Sequence, residues 1–285
     1  MTDSRRYREI GVTPLSKALG AQIDGVDLTQ PLSDSVMQEL KDAFATYSVI
    51  FFRDQSLSPQ QHIDLAEQWG EININRFFKP LDGYPQIAEV IKAPDQKENI
   101  GGTWHTDHSY DQIPAMGSML YARQVPPAGG DTLFASMTLA FEALSDGMKK
   151  TLLGLNAWHS SRHAFGYSVS DSEHYEDGRL ANPELAVQDA LHPVIITHPL
   201  SGKKALYVNA DFTVRFDGWT TEESQPLLDF LYAHGAREEF TCRFEWQEGS
   251  IALWDNRATW HNAMNDYHGH RRVMHRITLE GVALQ

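Results

Sequence analysis

The hydrophobic and polar positions along the chain repeat in two ways, one typical of helices and the other typical of strands. Apolar residues recur every three or four positions in several stretches, which is the spacing that places them on one face of a helix. Ser33 and Ser58 precede two of these stretches, and a serine there accepts a hydrogen bond from the first helical turn. The pattern predicts helices over 36–47, 59–69, 138–155 and 221–234.

Short apolar or alternating runs between turn residues predict strands. The run at 48–52 is almost wholly β-branched or aromatic, which favours a buried strand. Because short strands dominate from residue 100 onward and no linker or repeat divides the chain, we expect one domain over 1–285, a β-sandwich or barrel with flanking helices. Further strands are predicted over 86–92, 116–121, 194–197, 205–208, 240–246, 250–254 and 271–279, with shorter ones among the turns of 8–28.

One stretch, 166–190, differs in composition from its surroundings. It is polar and holds six acidic residues against a single arginine. Long polar segments inside a compact domain are commonly insertions with a function of their own. We expect 166–190 to be a mobile insertion or a lid, with a plain surface loop as the alternative.

The charge and cysteine counts exclude several classes of function. Lys plus Arg number 24 and Asp plus Glu 38, which leaves a formal charge of −14 on 285 residues. No basic face for phosphates is expected, so we predict no binding to nucleic acid or to an anionic membrane. One cysteine rules out disulfide frameworks and cysteine-rich zinc modules. Taken alone, the acid surplus would suggest a cationic substrate or none, although net charge describes the surface and not a site.

Several targeting and cofactor motifs are absent from the sequence. No apolar run approaches the ~18 residues of a membrane span, and the charged start of the chain lacks the apolar core of a secretory signal. These features favour the cytoplasm. The chain also lacks G-x-G-x-x-G, Walker A, G-x-S-x-G and H-E-x-x-H, so hydride transfer, phosphoryl transfer and serine hydrolysis have no support.

A histidine and an aspartate stand two positions apart in Trp104-His105-Thr106-Asp107. In an extended strand, residues i and i+2 point to the same face, so the imidazole and the carboxylate would converge. Two imidazoles and one carboxylate on one face hold Fe(II) and leave positions open for a cosubstrate and O₂. The pair alone does not specify a metal, because the chain has 13 histidines and a histidine capped by a neighbouring carboxylate would look the same.

A second histidine and two arginines near the end of the chain complete a candidate site. His261 follows a strand-like run, and Arg272 and Arg276 share one face if 271–279 is a strand. The stretch 257–280 holds four arginines and two acids, which favours an anion site over a solvated basic edge strand. A dicarboxylate that chelates the metal through its 2-oxo acid end needs such a cation at its far end. Thr132 can add a hydroxyl hydrogen bond there.

With these residues placed, the sequence resembles the taurine dioxygenase-like family of Fe(II)- and 2-oxoglutarate-dependent dioxygenases. The resemblance runs through almost the whole chain, in order and with matching spacing. It is carried by 20–28, 49–53, Trp104 to Asp107, Pro127-x-Gly-Gly-Asp-Thr132, 192–199, Leu206-Tyr-Val-Asn209, and Trp254-Asp-Asn-Arg257 through His261 to Arg276.

The resemblance implies a fold, a reaction and residue roles. The fold would be a double-stranded β-helix, or jelly roll. The reaction would couple hydroxylation of a C–H bond to conversion of 2-oxoglutarate and O₂ into succinate and CO₂. Members often form homo-oligomers, which we expect here. The implied roles are Fe(II) ligation by His105, Asp107 and His261, binding of the distal 2-oxoglutarate carboxylate by Thr132 and Arg272, and contact with the iron-bound carboxylate and the substrate by Arg276.

Departures from the family pattern bear on the substrate. Where taurine dioxygenases place a His and a Tyr, this chain reads Ile74-Asn-Arg-Phe-Phe78, and Gly101 replaces an Asn four residues before His105. Most of a sulfonate-binding set is therefore missing, and Gly101 would make room for a larger group, as in aryloxyalkanoate dioxygenases. His108 is either a substrate contact or a solvated loop histidine. The candidate substrate residues are Asn75, Phe78, Gly101, His108, Phe212 and Arg276.

The expected function is hydroxylation, with or without bond cleavage, of a small organic anion such as an aryloxyalkanoate. The alternative within the family is a dioxygenase for taurine, other alkylsulfonates or alkyl sulfates. Outside the oxygenases, a zinc hydrolase could use the same three ligands to activate water, and a jelly-roll module could bind without catalysis. The zinc interpretation leaves the arginines and Thr132 without a role, and a module under no catalytic demand need not keep the whole set.

Overall fold

The computed structural model describes residues 7–285. Most of the charged start of the chain, on which the expectation of no secretory signal depends, lies outside that range. Within it, no helix is both long enough and apolar enough to cross a membrane. Antiparallel strands predominate, and helices flank them.

The elements are numbered in chain order. The helices are α1 (Asp34–Tyr47), α2 (Pro59–Trp69), α3 (Met137–Glu142), α4 (Asp146–Leu152), α5 (Arg162–Phe165), α6 (Glu173–Glu176) and α7 (Thr221–Gly235). The strands are β1 (Gly11–Pro14), β2 (Ala21–Asp24), β3 (Val49–Phe52), β4 (Ile72–Asn73), β5 (Pro80–Leu81), β6 (Tyr84–Lys92), β7 (Gly117–Gln124), β8 (Thr132–Ser136), β9 (Asn156–Ser160), β10 (Asp189–Pro193), β11 (Ile195–Thr197), β12 (Lys204–Leu206), β13 (Thr213–Phe216), β14 (Thr241–Phe244), β15 (Ile251–Asp255), β16 (Thr259–Ala263) and β17 (Arg272–Leu279).

A large sheet and a small sheet supply most of the framework. The large sheet has the order β1-β2-β3-β15-β7-β17-β6-β5, and β4 pairs with the end of β17. All of its pairs are antiparallel except β2 with β3. The small sheet has the order β14-β8-β16, and the remaining strands form β10-β9-β13 and β11-β12.

The large and small sheets face each other across an aromatic core. Phe51 on β3 stacks on Phe244 of β14 with ring centroids 4.1 Å apart, and Phe134 of β8 meets Phe51 edge-on at 5.6 Å. Helices α1 and α2 bury the outer face of the large sheet, and α3, α4 and α7 enclose a second core. Each sheet thus buries one face against the other, and the expected mainly-β jelly roll with flanking helices is confirmed.

The helix starts predicted at Ser33 and Ser58 are confirmed. The Ser33 hydroxyl accepts a hydrogen bond from the Val36 N–H. Ser58 and Gln61 form a reciprocal capping box, with bonds of 3.2 and 2.9 Å. These starts follow from local chemistry, which explains why local sequence predicts them.

The single helix predicted over 138–155 is wrong. The chain instead forms α3 and α4, separated by a break at 143–145. The Ser145 hydroxyl accepts from the Met148 N–H at 3.3 Å and so begins a new helix inside the apolar period. A serine inside a periodic run has therefore capped the start of a separate helix.

The acidic stretch 166–190 folds onto the molecule through short helical turns and α6. Leu180 is buried and pairs with Phe78 in an isolated β-bridge. The Glu173 carboxylate accepts the N–H groups of Lys97 and Glu98, both at 3.1 Å. The segment therefore packs against the body of the protein through backbone hydrogen bonds and a buried leucine.

Two buried histidines, His62 on α2 and His275 on β17, couple the stability of the fold to pH. His62 lies edge-on to Tyr121 at 5.7 Å, and neither of its ring nitrogens has a hydrogen-bond partner within 7–285. Burial lowers the pKa of His62 to about 3 and that of His275 to about 4. Both rings are therefore neutral in the folded protein at neutral pH.

We expect the free energy of unfolding to fall as the pH falls below about 7.5, where unfolded histidines, whose pKa is about 6.5, begin to bind protons. Between that pH and the folded pKa values the unfolded chain holds more protons, so acid favours unfolding. His62 alone should account for about 1 kcal/mol between roughly pH 7.5 and 5.5. In denaturant titrations, His62→Phe should show a smaller loss over that interval, whereas the exposed His270→Phe should keep the full loss. Equal losses in both variants would contradict this assignment.

Candidate metal and cosubstrate site

Three candidate metal ligands meet between the two facing sheets. His261 lies on β16, and His105 pairs with it through a β-bridge whose N–H···O distances are 3.1 and 2.8 Å. The Nε2 atoms of His105 and His261 lie 3.8 and 3.9 Å from Asp107 Oδ1. One ligand atom from each residue falls within 4.8 Å of the others, and all three residues are buried. This spacing suits a single metal ion.

The predicted convergence of His105 and Asp107 is found, but the strand expected to produce it is wrong. His105 is bridged to β16, while Asp107 opens a turn over 107–110. His108 in that turn has φ +59°, and its carbonyl accepts the Asp111 N–H at 3.1 Å. The turn brings the carboxylate back towards the imidazole, so a local bend does what strand alternation was expected to do.

Neighbouring groups set the orientation of His105 and Asp107. His105 Nδ1 lies 2.8 Å from the Thr103 carbonyl, which can only accept, so Nδ1 carries the proton and Nε2 has a free lone pair. The Ser118 hydroxyl donates to Asp107 Oδ2 at 2.7 Å, and Arg276 Nη1 donates to Oδ1 at 3.3 Å. Both candidate ligands are therefore oriented before any metal binds.

The protonation states also suit a metal. Burial by itself raises the pKa of Asp107, but nearby positive charge, foremost the Arg276 guanidinium, outweighs it and holds that pKa well below its usual range. Burial, followed by the neighbouring His105, lowers the pKa of His261 well below its usual value. A carboxylate and a neutral imidazole are the forms that coordinate metal ions.

A buried guanidinium with unused donors marks the other predicted end of the site. Arg272 is 4% exposed, and its Nε and Nη2 have no acceptor in the described part of the chain. Burial lowers its pKa, which Tyr267 and Asp131 only partly offset. Thr132 is also buried, and its hydroxyl accepts from the Trp246 indole at 2.9 Å, which leaves its own O–H to donate. A buried cation without an acceptor is costly, and a carboxylate would satisfy it.

A cavity of about 390 Å³ joins these groups. The structure places every site residue predicted from the sequence on its wall, although the eleven come from distant parts of the chain. These residues are Asn75, Phe78, Gly101, His105, Asp107, His108, Thr132, Phe212, His261, Arg272 and Arg276.

Much of the remaining wall is aromatic or aliphatic, and sequence reasoning missed it. Tyr110 lies edge-on to Phe212 at 4.9 Å, and Phe165 lies 5.9 Å from the same ring. Leu180, from the acidic stretch, also lines the cavity. No motif marks these positions, because they meet only after 162–180 folds over the body.

Gly101 has a second reason to be glycine besides space for a substrate. Its φ is +81°, a conformation that side chains rarely adopt, and a Cβ there would lie 3.3 Å from His105 Cε1. The position therefore needs both an unusual backbone conformation and a close approach to a candidate ligand.

His108 is buried, not solvated, and belongs to a hydrogen-bonded network of polar side chains. Asn75 Oδ1 accepts the N–H groups of Phe77 and Phe78, so its amide nitrogen faces His108 Nε2 at 3.4 Å. On the other side, His108 Nδ1 lies 2.9 Å from Asp111, whose carboxylate accepts from Arg76 at 2.6 Å. This network holds His108 and Asn75 at the cavity wall.

Asp211 is a further polar wall residue that the sequence did not suggest. Its Oδ1 accepts the Thr103 hydroxyl at 2.5 Å, and its Oδ2 lies 3.6 Å from His105 Nδ1. It follows Ala210 and precedes Phe212, which both line the cavity. Asp211 therefore connects a candidate ligand to the aromatic wall.

Comparison with known proteins agrees with this geometry. The family model described as "Taurine catabolism dioxygenase TauD, TfdA family" matches residues 11–278. The chain belongs to this family. An alkylsulfatase from Acinetobacter baylyi is 34% identical over 277 residues, which cover 96% of this chain and 86% of that protein.

Two further relatives carry names that indicate different substrates. An alpha-ketoglutarate-dependent 2,4-dichlorophenoxyacetate dioxygenase from Cupriavidus pinatubonensis is 30% identical, with 93% of this chain and 96% of that protein covered. The crystal structure of a taurine dioxygenase from Burkholderia xenovorans superposes with a TM-score of 0.81 at 34% identity, covering 97% of this chain and 92% of that one. Relatives with different substrates are thus about equally similar.

Family membership makes the protein a 2-oxoglutarate-dependent dioxygenase. The reaction class predicted from the sequence is confirmed, and the zinc-hydrolase and non-catalytic alternatives are excluded. The family implies iron and 2-oxoglutarate, and the donor set fits both. Two imidazoles with one carboxylate suit Fe(II), and a buried guanidinium without an acceptor in residues 7–285 suits a carboxylate.

Proposed function

We propose that this enzyme hydroxylates a small organic anion that carries a sizeable apolar group. His105, Asp107 and His261 would hold Fe(II), and Arg272 with Thr132 would hold the distal carboxylate of 2-oxoglutarate. The observation that carries the proposal is the buried Arg272, which has two unused donor nitrogens on the wall of the cavity that contains the three ligands.

Iron(II) at this position would supply the activation of O₂ that drives hydroxylation. The protein's own groups prepare the site. Thr103 and Ser118 orient two ligands, and all three ligand residues are buried. Arg276 donates to Asp107 and keeps that carboxylate charged at neutral pH.

Arg276 is also our candidate for the anionic head of the substrate. Its Cζ lies 4.3 Å from the centre of the Phe78 ring, and its Nε has no acceptor within residues 7–285. Asn75 and His108 lie on the same cavity wall and can add polar contacts. The guanidinium would therefore bind a carboxylate, sulfate or sulfonate, with Phe78 stacked against it.

The aromatic wall favours a substrate with an aryl or alkyl body. Phe165, Phe212 and Tyr110 pack together beside the cavity, and Leu180 adds an aliphatic surface. The names of two relatives specify alkyl sulfates and an aryloxyacetate, and both classes join an anionic head to an apolar body. If hydroxylation occurs at a carbon that bears oxygen, the product collapses and the C–O bond breaks. Alkyl sulfates and aryloxyalkanoates, the second of which the sequence led us to expect, are therefore the two candidate classes.

Three further expectations belong to this proposal. We propose that the whole chain acts as one catalytic domain, with 166–190 closing over the cavity that Leu180 lines. A cytoplasmic location and a homo-oligomeric state, both expected at the level of sequence, are also part of the proposal. Cell fractionation and light scattering on the purified protein would test these two.

With Fe(II), 2-oxoglutarate and O₂, alkyl sulfates of increasing chain length should raise succinate formation progressively. Each methylene buried against the aromatic wall should increase kcat/KM about fourfold until the cavity is full. Aryloxyacetates should also stimulate turnover, and taurine should do so least. Phe212→Ala should flatten the dependence on chain length, whereas Phe230→Ala, on an exposed helix face, should not. A preference for taurine, or no response to any apolar anion, would refute the proposed substrate class.

A further inference from the structure

Lys92 and Arg272 lie directly opposite each other on the paired strands β6 and β17. Opposed residues in an antiparallel pair project to the same face, with Cβ atoms about 5 Å apart. Val90, two positions before Lys92 and on the same face, lines the cavity, as does Arg272. Lys92 therefore stands beside the guanidinium that is our candidate for the cosubstrate carboxylate.

Both cations are buried, and each has donor nitrogens without an acceptor in the described part of the chain. Lys92 is 2% exposed, and its Nζ has no hydrogen-bond partner among residues 7–285, as is true of Arg272 Nε and Nη2. The Lys92 ammonium lies 4.6 Å from the centre of the Tyr267 ring, so a cation–π contact is its described interaction. Burial lowers the pKa of both side chains. Like charges directly opposed on one strand pair are destabilising, so packing alone does not account for a lysine here.

The nearby acids are engaged elsewhere. Asp131 accepts from Arg243 at 2.5 Å, and Asp266 accepts the Gly130 N–H at 2.7 Å. Glu173 favours the charged form of Lys92 from a distance, but its carboxylate accepts two backbone N–H groups and Arg179 opposes its effect. The two opposed cations therefore leave local positive charge unbalanced.

We propose that Lys92 supplies a second positive charge that strengthens binding of the distal carboxylate of 2-oxoglutarate beside Arg272. The inference rests on the proposed function, in which Arg272 holds that carboxylate. Lys92 acts here as a positioning and specificity residue. It would favour 2-oxo acids with a distal carboxylate over those without one, because only the former bring a negative charge to this position.

The test compares two cosubstrates on Lys92→Met, which removes the charge and keeps most of the volume. Anaerobic protein loaded with Mn(II) is titrated calorimetrically with 2-oxoglutarate and with 2-oxopentanoate, which lacks the distal carboxylate. Lys92→Met should weaken 2-oxoglutarate binding about tenfold and change 2-oxopentanoate binding less than about twofold. Lys203→Met, an exposed lysine, should leave both unchanged. Unchanged binding of 2-oxoglutarate, or equal weakening of both acids, would overturn the proposal.

Thermal unfolding without cosubstrate separates this role from a structural one. Lys92→Met should unfold at the same or a higher temperature than the wild type, because it removes a repulsion. A lower temperature together with unchanged binding would show that Lys92 serves only its contact with Tyr267. Lys92→Gln provides a second variant if the methionine does not fold. If Arg272→Met leaves 2-oxoglutarate binding intact, both the proposed function and the Lys92 inference fail. If Arg272→Met weakens that binding and Lys92→Met leaves it intact, only the Lys92 inference is wrong.

Discussion

Succinate formation is expected to fall at least a thousandfold when His105 is replaced by alanine, a loss of roughly 4 kcal/mol in barrier terms. The imidazole is one of three buried candidate ligands, and its Nε2 lies 3.8 Å from Asp107 Oδ1. No other histidine takes part in this ligand group within the described chain, apart from His261. Only two ligand residues would remain, and two ligands fix the position of a metal ion less well than three.

The fold should survive the His105→Ala change, because the β-bridge to His261 uses only backbone atoms. The side chain contributes one hydrogen bond, to the Thr103 carbonyl. Binding of Mn(II), measured by calorimetry, should therefore weaken along with activity while the circular dichroism spectrum stays unchanged. His270→Ala removes an exposed histidine and should behave as the wild type. Turnover by His105→Ala at a tenth of the wild-type rate or more would contradict the assignment of His105 as a metal ligand.

The second large effect is expected at Arg272. Replacing it with methionine should raise the KM for 2-oxoglutarate about a hundredfold, with kcat at saturation much less affected. The guanidinium offers two buried donors with no partner in residues 7–285. Thr132 is the other donor that the sequence predicts for the distal carboxylate, and Lys92 is proposed above to add a nearby charge. The loss should fall on cosubstrate binding, since Arg272 is not among the ligand residues at the metal end.

Two comparisons isolate the role of the guanidinium. Arg271 is the exposed neighbour of Arg272, so Arg271→Met removes the same charge from the same strand end and should leave the KM unchanged. Arg272→Lys should recover only part of the affinity, because an ammonium lacks the planar pair of donors. An unchanged KM in Arg272→Met would transfer the carboxylate-binding role to another residue.

Local chemistry explains which elements could be predicted. The caps at Ser33 and Ser58 act within one helical turn, and the start of α7 at Thr220 is equally local. Where a local signal lay inside a periodic run, as at Ser145, prediction failed, because the apolar period alone does not show whether a serine side chain points to solvent or caps the next turn.

The net charge of the chain gave a misleading indication of the ligand's charge. A balance of −14 suggested a cationic substrate or none, whereas the cavity contains Arg272 and Arg276 and the proposed ligands are anions. Acids such as Glu173 and Asp177 pair with Arg179 near the surface. The net charge sums every charged residue in the chain. A ligand in the cavity responds mainly to the few charged groups close to it, because salt screens the distant ones and the apolar cavity wall strengthens the near ones.

The sequence by itself determined the reaction class, the jelly roll and eleven residues that line one cavity, because these are carried by motifs whose order and spacing can be recognised in one dimension. Only the tertiary structure decided the rest. It replaced the expected H-x-D strand by a bridge to His261 and a turn, and it placed Phe165 and Leu180 on the wall of the cavity. It also set Lys92 opposite Arg272. These contacts join residues that are far apart in the chain, and their strength comes from burial and strand register, which no local pattern encodes.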